Sequence, residues 1–137
     1  MVEVEVAHQP EGYVLVRLAG EIDMSHRAAV QQAFRHVFAA PGAAVVVDLC
    51  GVRFLAVAGA DWVDAAVGAL RDQGRTVCVV CADRGPGDDE SSTWRWLRSQ
   101  RAFDRAAFVV HGDMTVTHVN MTALAERLVV RAFRSPP

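Results

Sequence analysis

Three cysteines, five histidines and sixteen carboxylates are the side chains of this 137-residue chain best suited to chemistry, and their spacing decides what kind. Cys78-Val79-Val80-Cys81 has the spacing of a thiol redox or metal-binding pair, but it lies in the apolar run Arg75 to Cys81, which reads as a strand. Residues three apart in a strand point to opposite faces, so the two sulfurs cannot meet. Redox pairs of this spacing stand instead at helix starts, where the dipole lowers the thiol pKa. Cys50 reads as a small apolar or loop residue. His111 and His118, like His26 and His36, have no Asp, Glu or Cys at ligand spacing, so no metal site is expected. No Ser-His-Asp group or carboxylate pair can be given roles, so neither catalytic residues nor a cofactor are expected. Arg84 to Ser92 contains glycines but three acids in succession, which argues against a phosphate cradle and for a mobile loop. Ser91 or Ser92 is then the expected cap of a following helix. Asn120-Met121-Thr122 fits a glycosylation sequon, but on an expected cytosolic helix the match is accidental.

The most informative stretch is one where chemistry is missing. Phe54-Leu55-Ala56-Val57-Ala58-Gly59 joins the apolar strand Ala44 to Leu49 to a helix expected from near Gly59, with no hydroxyl or carboxylate along it. Such joints gather backbone N–H groups at the positive end of a helix dipole, where phosphate usually sits. Here no side chain can carry a phosphoryl group. Loss of a cap costs a helix about 1 kcal/mol, and Asp61, expected in the first turn, would offset part of it.

Composition narrows the classes further. With 52% hydrophobic residues the chain can bury one real core, so a single domain over 1–137 is expected. The formal charge is −2 and there is no basic run, which argues against nucleic-acid partners. All fourteen basic residues are Arg. No apolar stretch reaches the roughly 18 residues of a membrane span, and the opening Met1-Val2-Glu3-Val4-Glu5 is unlike a basic leader, so a cytoplasmic protein without membrane insertion is expected.

The elements follow from periodicity. Val2, Val4 and Val6 alternate with glutamates, and Val14, Val16 and Leu18 alternate after Glu11-Gly12, predicting a β-hairpin. Val30, Phe34, Val37 and Phe38 share a helical face over about 26–40, after the cap-like Ser25 and before Pro41-Gly42. Ala44 to Leu49 reads as a strand buried on both faces. Val63, Val67 and Leu70 mark a second helix closed by Gly74. Arg75 to Cys81 is the next strand, Trp94 to Leu97 a third helix, and Ala106 to Val110 a last strand. Trp94 and Trp96, two apart, cannot both face the core. Met121, Leu124, Leu128 and Ala132 predict a C-terminal helix over about 114–133, ahead of a short tail at 135–137. The expected fold is α/β: a mixed, mostly parallel sheet of four or five strands opening with a hairpin, with about four helices.

Ala19-Gly20-Glu21-Ile22-Asp23, Val45 to Leu49, Gly51-Val52-Arg53-Phe54-Leu55 leading to Gly59, and Gly74 before another apolar strand together resemble a STAS domain, the fold of anti-sigma factor antagonists. The resemblance runs from about Val2 to Val110. In that family the joint reads Asp-Ser-Ser-Gly, and its second serine is phosphorylated by an anti-sigma factor that is also a kinase; only the unmodified form binds and so frees the sigma factor. Carried onto this chain, the aspartate falls on Ala56, the first serine on Val57 and the phosphoacceptor on Ala58, with Gly59 alone retained. The resemblance therefore implies a bacterial partner-switching regulator that binds an anti-sigma factor or histidine-kinase-like ATPase domain as a permanently unmodified form. Asp23, Met24, Ala58, Gly59 and Trp62 are its expected contact residues, Asp23 also being a candidate cap. Other roles open to such a domain are an accessory subunit of an ABC-type transport system, a ligand sensor using the Ala56 to Gly59 joint, or an inert, dry joint that has lost its role.

Overall fold

A computed structural model of the chain describes residues 2–10, 12–40, 44–85, 89–93 and 95, and the strands at 106–110 and 116–119. The alternation of valine and glutamate produces the expected hairpin: β1 (Val2–His8) pairs antiparallel with β2 (Tyr13–Ile22), in register from Val2↔Gly20 to His8↔Val14. A 3₁₀ turn (Met24–His26) leads into α1 (Arg27–Ala39), followed by β3 (Ala44–Leu55), α2 (Val57–Asp72), β4 (Thr76–Ala82), β5 (Ala106–Val110) and β6 (Val116–Val119). The six strands lie in chain order, parallel from β2 through β5 and antiparallel at both edges. The mixed, mostly parallel α/β sheet that alternation implied is therefore present.

Among the described residues the sheet has six strands where four or five were expected. Residues 116–119, placed at the start of the C-terminal helix, instead pair with β5 from Val110↔Val116 to Ala107↔Val119. Val116, Thr117 and Val119 are β-branched and suit a pleated surface better than a helix. The rest of that segment, Trp94, Trp96 and the centre of the acidic loop lie outside the described residues, as does most of the expected third helix.

Both helices are amphipathic in the predicted sense. α1 buries Val30, Ala33, Phe34 and Val37, and α2 buries Ala60, Val63, Ala66, Val67 and Leu70. They share one core with alternate strand residues: Val14, Val16 and Leu18 from β2, Val45, Val47 and Leu49 from β3, and Val77, Val79 and Cys81 from β4. The intervening Leu15, Val46, Cys78 and Val80 are also buried, so the central strands are apolar on both sides, as their unbroken runs required. Such strands could slip by one residue without exposing a polar face. Asp48 removes that freedom: it is buried, it faces Arg17 in the β2–β3 register, and its Oδ2 takes Arg17 Nε–H at 3.1 Å while Oδ1 takes the Cys50 N–H at 2.9 Å.

Candidate functional site

The candidate site lies where β2 and β3 end, the position at which open α/β sheets bind their ligands. β3 reaches it irregularly. Arg17 and Ala19 pair with Asp48 and Gly51, and Gly20 and Glu21 with Val52 and Phe54, so β3 carries an extra residue at two points. Val52 and Leu55 consequently both point into the helix-side core although they are three apart, and Phe54 is turned outward, 53% exposed.

At the joint itself Ala56 N–H donates to Ile22 O at 2.9 Å, locking the end of β2 to the start of α2. Gly59 completes the lock. A Cβ there would lie 2.7 Å from Ile22 Cγ2 and 3.0 Å from Ile22 O, so only glycine lets the helix come this close. Ser92, half-buried beyond β4, adds a third tie by accepting the Leu55 N–H on its hydroxyl at 2.8 Å. Its neighbour Ser91 instead donates to Ala82 O.

α2 begins at Val57, two residues before the sequence suggested, which makes Ala56 the N-cap and places Ala58 and Gly59 within the first turn. Ala56 has the extended conformation of a capping residue (φ −69°, ψ 158°) but no side chain to cap with. Asp61 falls in the second turn and the first turn holds no acid, so the compensation expected of Asp61 is not supplied.

Asp23 and Met24 follow Ile22 directly and so stand beside this joint. Ser25 does not cap α1, which starts after His26; Asp23 instead caps the preceding 3₁₀ turn, its Oδ1 taking the Ser25 N–H at 2.9 Å and the Ser25 hydroxyl at 2.5 Å. His26 Nδ1 completes a capping box by accepting the Asp23 N–H at 3.3 Å. An Nδ1 that accepts there cannot also donate to Asp23 Oδ1, although the two atoms are 3.2 Å apart. The hydrogen bonds from Ser25 hold the Asp23 carboxyl below its ordinary value. Capping leaves its side chain half exposed.

Of the residues singled out from sequence, Asp23, Met24, Ala58 and Gly59 are thus brought to one end of the sheet. Met24 is 77% exposed; Gly59 is buried and acts as a spacer between helix and strand. Trp62 lies one turn along α2, half-buried against the core, where with Val30, Phe34 and Phe38 it lines a cleft of about 420 Å³ between α1 and α2. Sequence reasoning missed Phe54 and Val57, the latter 80% exposed. Together with Met24 they place three large, exposed apolar side chains around the helix start.

β4 holds the two closely spaced cysteines on opposite faces, as the strand period required. Cys81 faces the helix-side core and Cys78 the other side, neither is in a disulfide, and burial pushes each thiol up to about 12. Burial, with the charge of Asp48, raises Cys50 as well.

The family model described as "Mlab, STAS domain" matches residues 5–85. The crystal structure of an anti-sigma factor antagonist from Mycobacterium paratuberculosis is similar at 30% identity with a TM-score of 0.58, covering 72% of this chain and 76% of that one. No curated protein matches. With more than half its length under the family model, and with the sheet, helices and joint arranged as described, the chain belongs to the STAS-domain family.

Proposed function

We propose that this domain is a non-enzymatic regulatory module that acts in the bacterial cytoplasm by binding a protein partner at the start of α2. The partner is an anti-sigma factor or a related histidine-kinase-like ATPase domain, as the likeness to an anti-sigma factor antagonist suggests. Met24, Phe54 and Val57 carry the reading: large apolar side chains left in water at the rim of a rigid, triply tied joint suit a contact that removes them from it. Asp23 and Ala58 lie within that rim, Gly59 sets its shape, and Trp62 flanks it. A phosphoryl group adds about −1.5 to −2 charges, and the methyl group of Ala58 cannot accept one. The domain therefore works by occupancy, as a form that kinase activity at this position cannot release.

Pull-down from the cell that carries the chain tests this with Val57→Asp and Ala58→Asp. Both sites are in the first turn of α2, where an acid is favourable by about 0.3–1 kcal/mol, so folding is retained. The wild type is expected to retain a kinase-like protein, identified by mass spectrometry, and both variants to lose it. A partner indifferent to both changes would move the interface elsewhere.

A further inference from the structure

β1 ends the sheet: it pairs with β2 on one side, and among the described residues no strand pairs with the other. Its outer row of main-chain N–H and C=O groups is a template for another strand. Beside that row runs a cleft of about 330 Å³ between β1 and α1, floored by Val4, Val6, Ala29 and Ala33 with Gln32 and His36 along it. Val4 is 38% exposed on this edge, where a protein guarding against strand addition would place a charge. The opposite face of the strand is acidic. Glu3 and Glu5 are exposed there, Glu21 of β2 adds a third carboxylate, and the nearby Arg17 is engaged by Glu5 at 3.5 Å and Asp48 at 3.1 Å.

These charges select the occupant. In an antiparallel pairing of two copies of β1, setting Val4 against Val6 puts Glu5 against Glu5, and setting Val4 against Val4 puts Glu3 against Glu5; like charges directly opposite destabilise either register. We propose that the β1 edge receives an extended segment of a partner protein in which apolar residues alternate with Lys or Arg. Its main chain pairs with β1, its apolar side chains enter the cleft beside α1, and its cations face Glu3 and Glu5. This surface uses neither Met24 nor Val57, so it stands or falls independently of the α2 contact.

The test titrates the ¹⁵N-labelled full chain with a blocked nine-residue peptide alternating Val and Lys, and with its Val and Glu counterpart. The lysine peptide is expected to shift the amides of Glu3 to Ala7, Ala29 and Ala33 and to slow hydrogen exchange along β1. Glu3→Lys and Val4→Lys, each at an exposed position and checked for folding by circular dichroism, are each expected to weaken it about tenfold or more. Equal binding of the two peptides, shifts centred on the start of α2, or no shift up to millimolar peptide would overturn the proposal. So would a concentration-dependent dimer abolished by Val4→Lys, which would make a second copy the occupant.

Discussion

Gly59 and Gly68 lie in the same helix, and changing each to alanine separates close packing from helix propensity. Alanine is favoured over glycine in a helix by about 0.8–1 kcal/mol. At Gly68 a Cβ meets nothing within 4 Å, so the variant should gain that amount in full. At Gly59 the same Cβ would stand 2.7 Å from Ile22 Cγ2, 3.0 Å from Ile22 O and 3.2 Å from Leu55 Cδ1, well inside ordinary carbon contacts of about 3.5–4.0 Å. Ile22 is wholly buried and its carbonyl is held by Ala56 N–H, so neither can step aside cheaply. Overpacking of this kind costs about 1–3 kcal/mol, which outweighs the propensity gain and leaves a net loss near 1 kcal/mol. At about 2.1 cal/mol/K per residue, each kcal/mol shifts the Tm of a domain this size by roughly 3–4 °C. Calorimetry should therefore find the two variants on opposite sides of wild type, about 7 °C apart. If both rise together, the lock between α2 and β2 is looser than described.

Ala56→Ser should restore the missing cap, stabilising the domain by about 1 kcal/mol in urea titrations; no gain would mean that Ala56 is not the N-cap. The Asp23 carboxyl is held below its ordinary value by Ser25, so its contribution is present at neutral pH and lost as pH falls through the depressed folded value. Asp23→Asn keeps a capping oxygen but not the titration, and its stability gap to wild type should close below about pH 4; a gap independent of pH would contradict the assignment. Cys78 and Cys81 should resist iodoacetamide at pH 8 until guanidinium is added, and non-reducing mass spectrometry should find no bond between them. A linked pair would be incompatible with β4.

The hairpin, the two helix faces and the buried central strands were legible because each rests on a simple period of apolar residues. The two extra residues in β3 were not. From Val45 to Leu49 the core side follows every second position, and continuing that count would bury Gly51 and Arg53; the first bulge buries Val52 instead, and the second returns the strand to the original count at Leu55. Gly51, an isolated glycine inside the strand and close against Ala19, is the one local sign of the first bulge, and nothing comparable marks the second. The start of α2 was misplaced because Ala56 has lost the capping side chain that would announce it. For β6 the helical spacing downstream masked four residues, three of them β-branched and so favouring a strand. The tie from Ser92 to Leu55 joins segments far apart in sequence, and no local pattern announces it.

The parallel heart of the sheet also dictates how the molecule must come together. Tyr13 meets Ala44 and Ala44 meets Thr76, so every pairing from β2 to β4 spans about thirty residues and must close a long loop before it is rewarded. Among the described residues the local pairings are the edge hairpins β1–β2 and β5–β6, each a microsecond event, whereas sheets built on distant pairings assemble in milliseconds to seconds. A nascent chain thus presents a finished hairpin with the valine-rich side of β2 unsatisfied while its neighbour is still being synthesised. That interval, rather than the finished domain, is when this protein is most exposed to self-association and most in need of a chaperone.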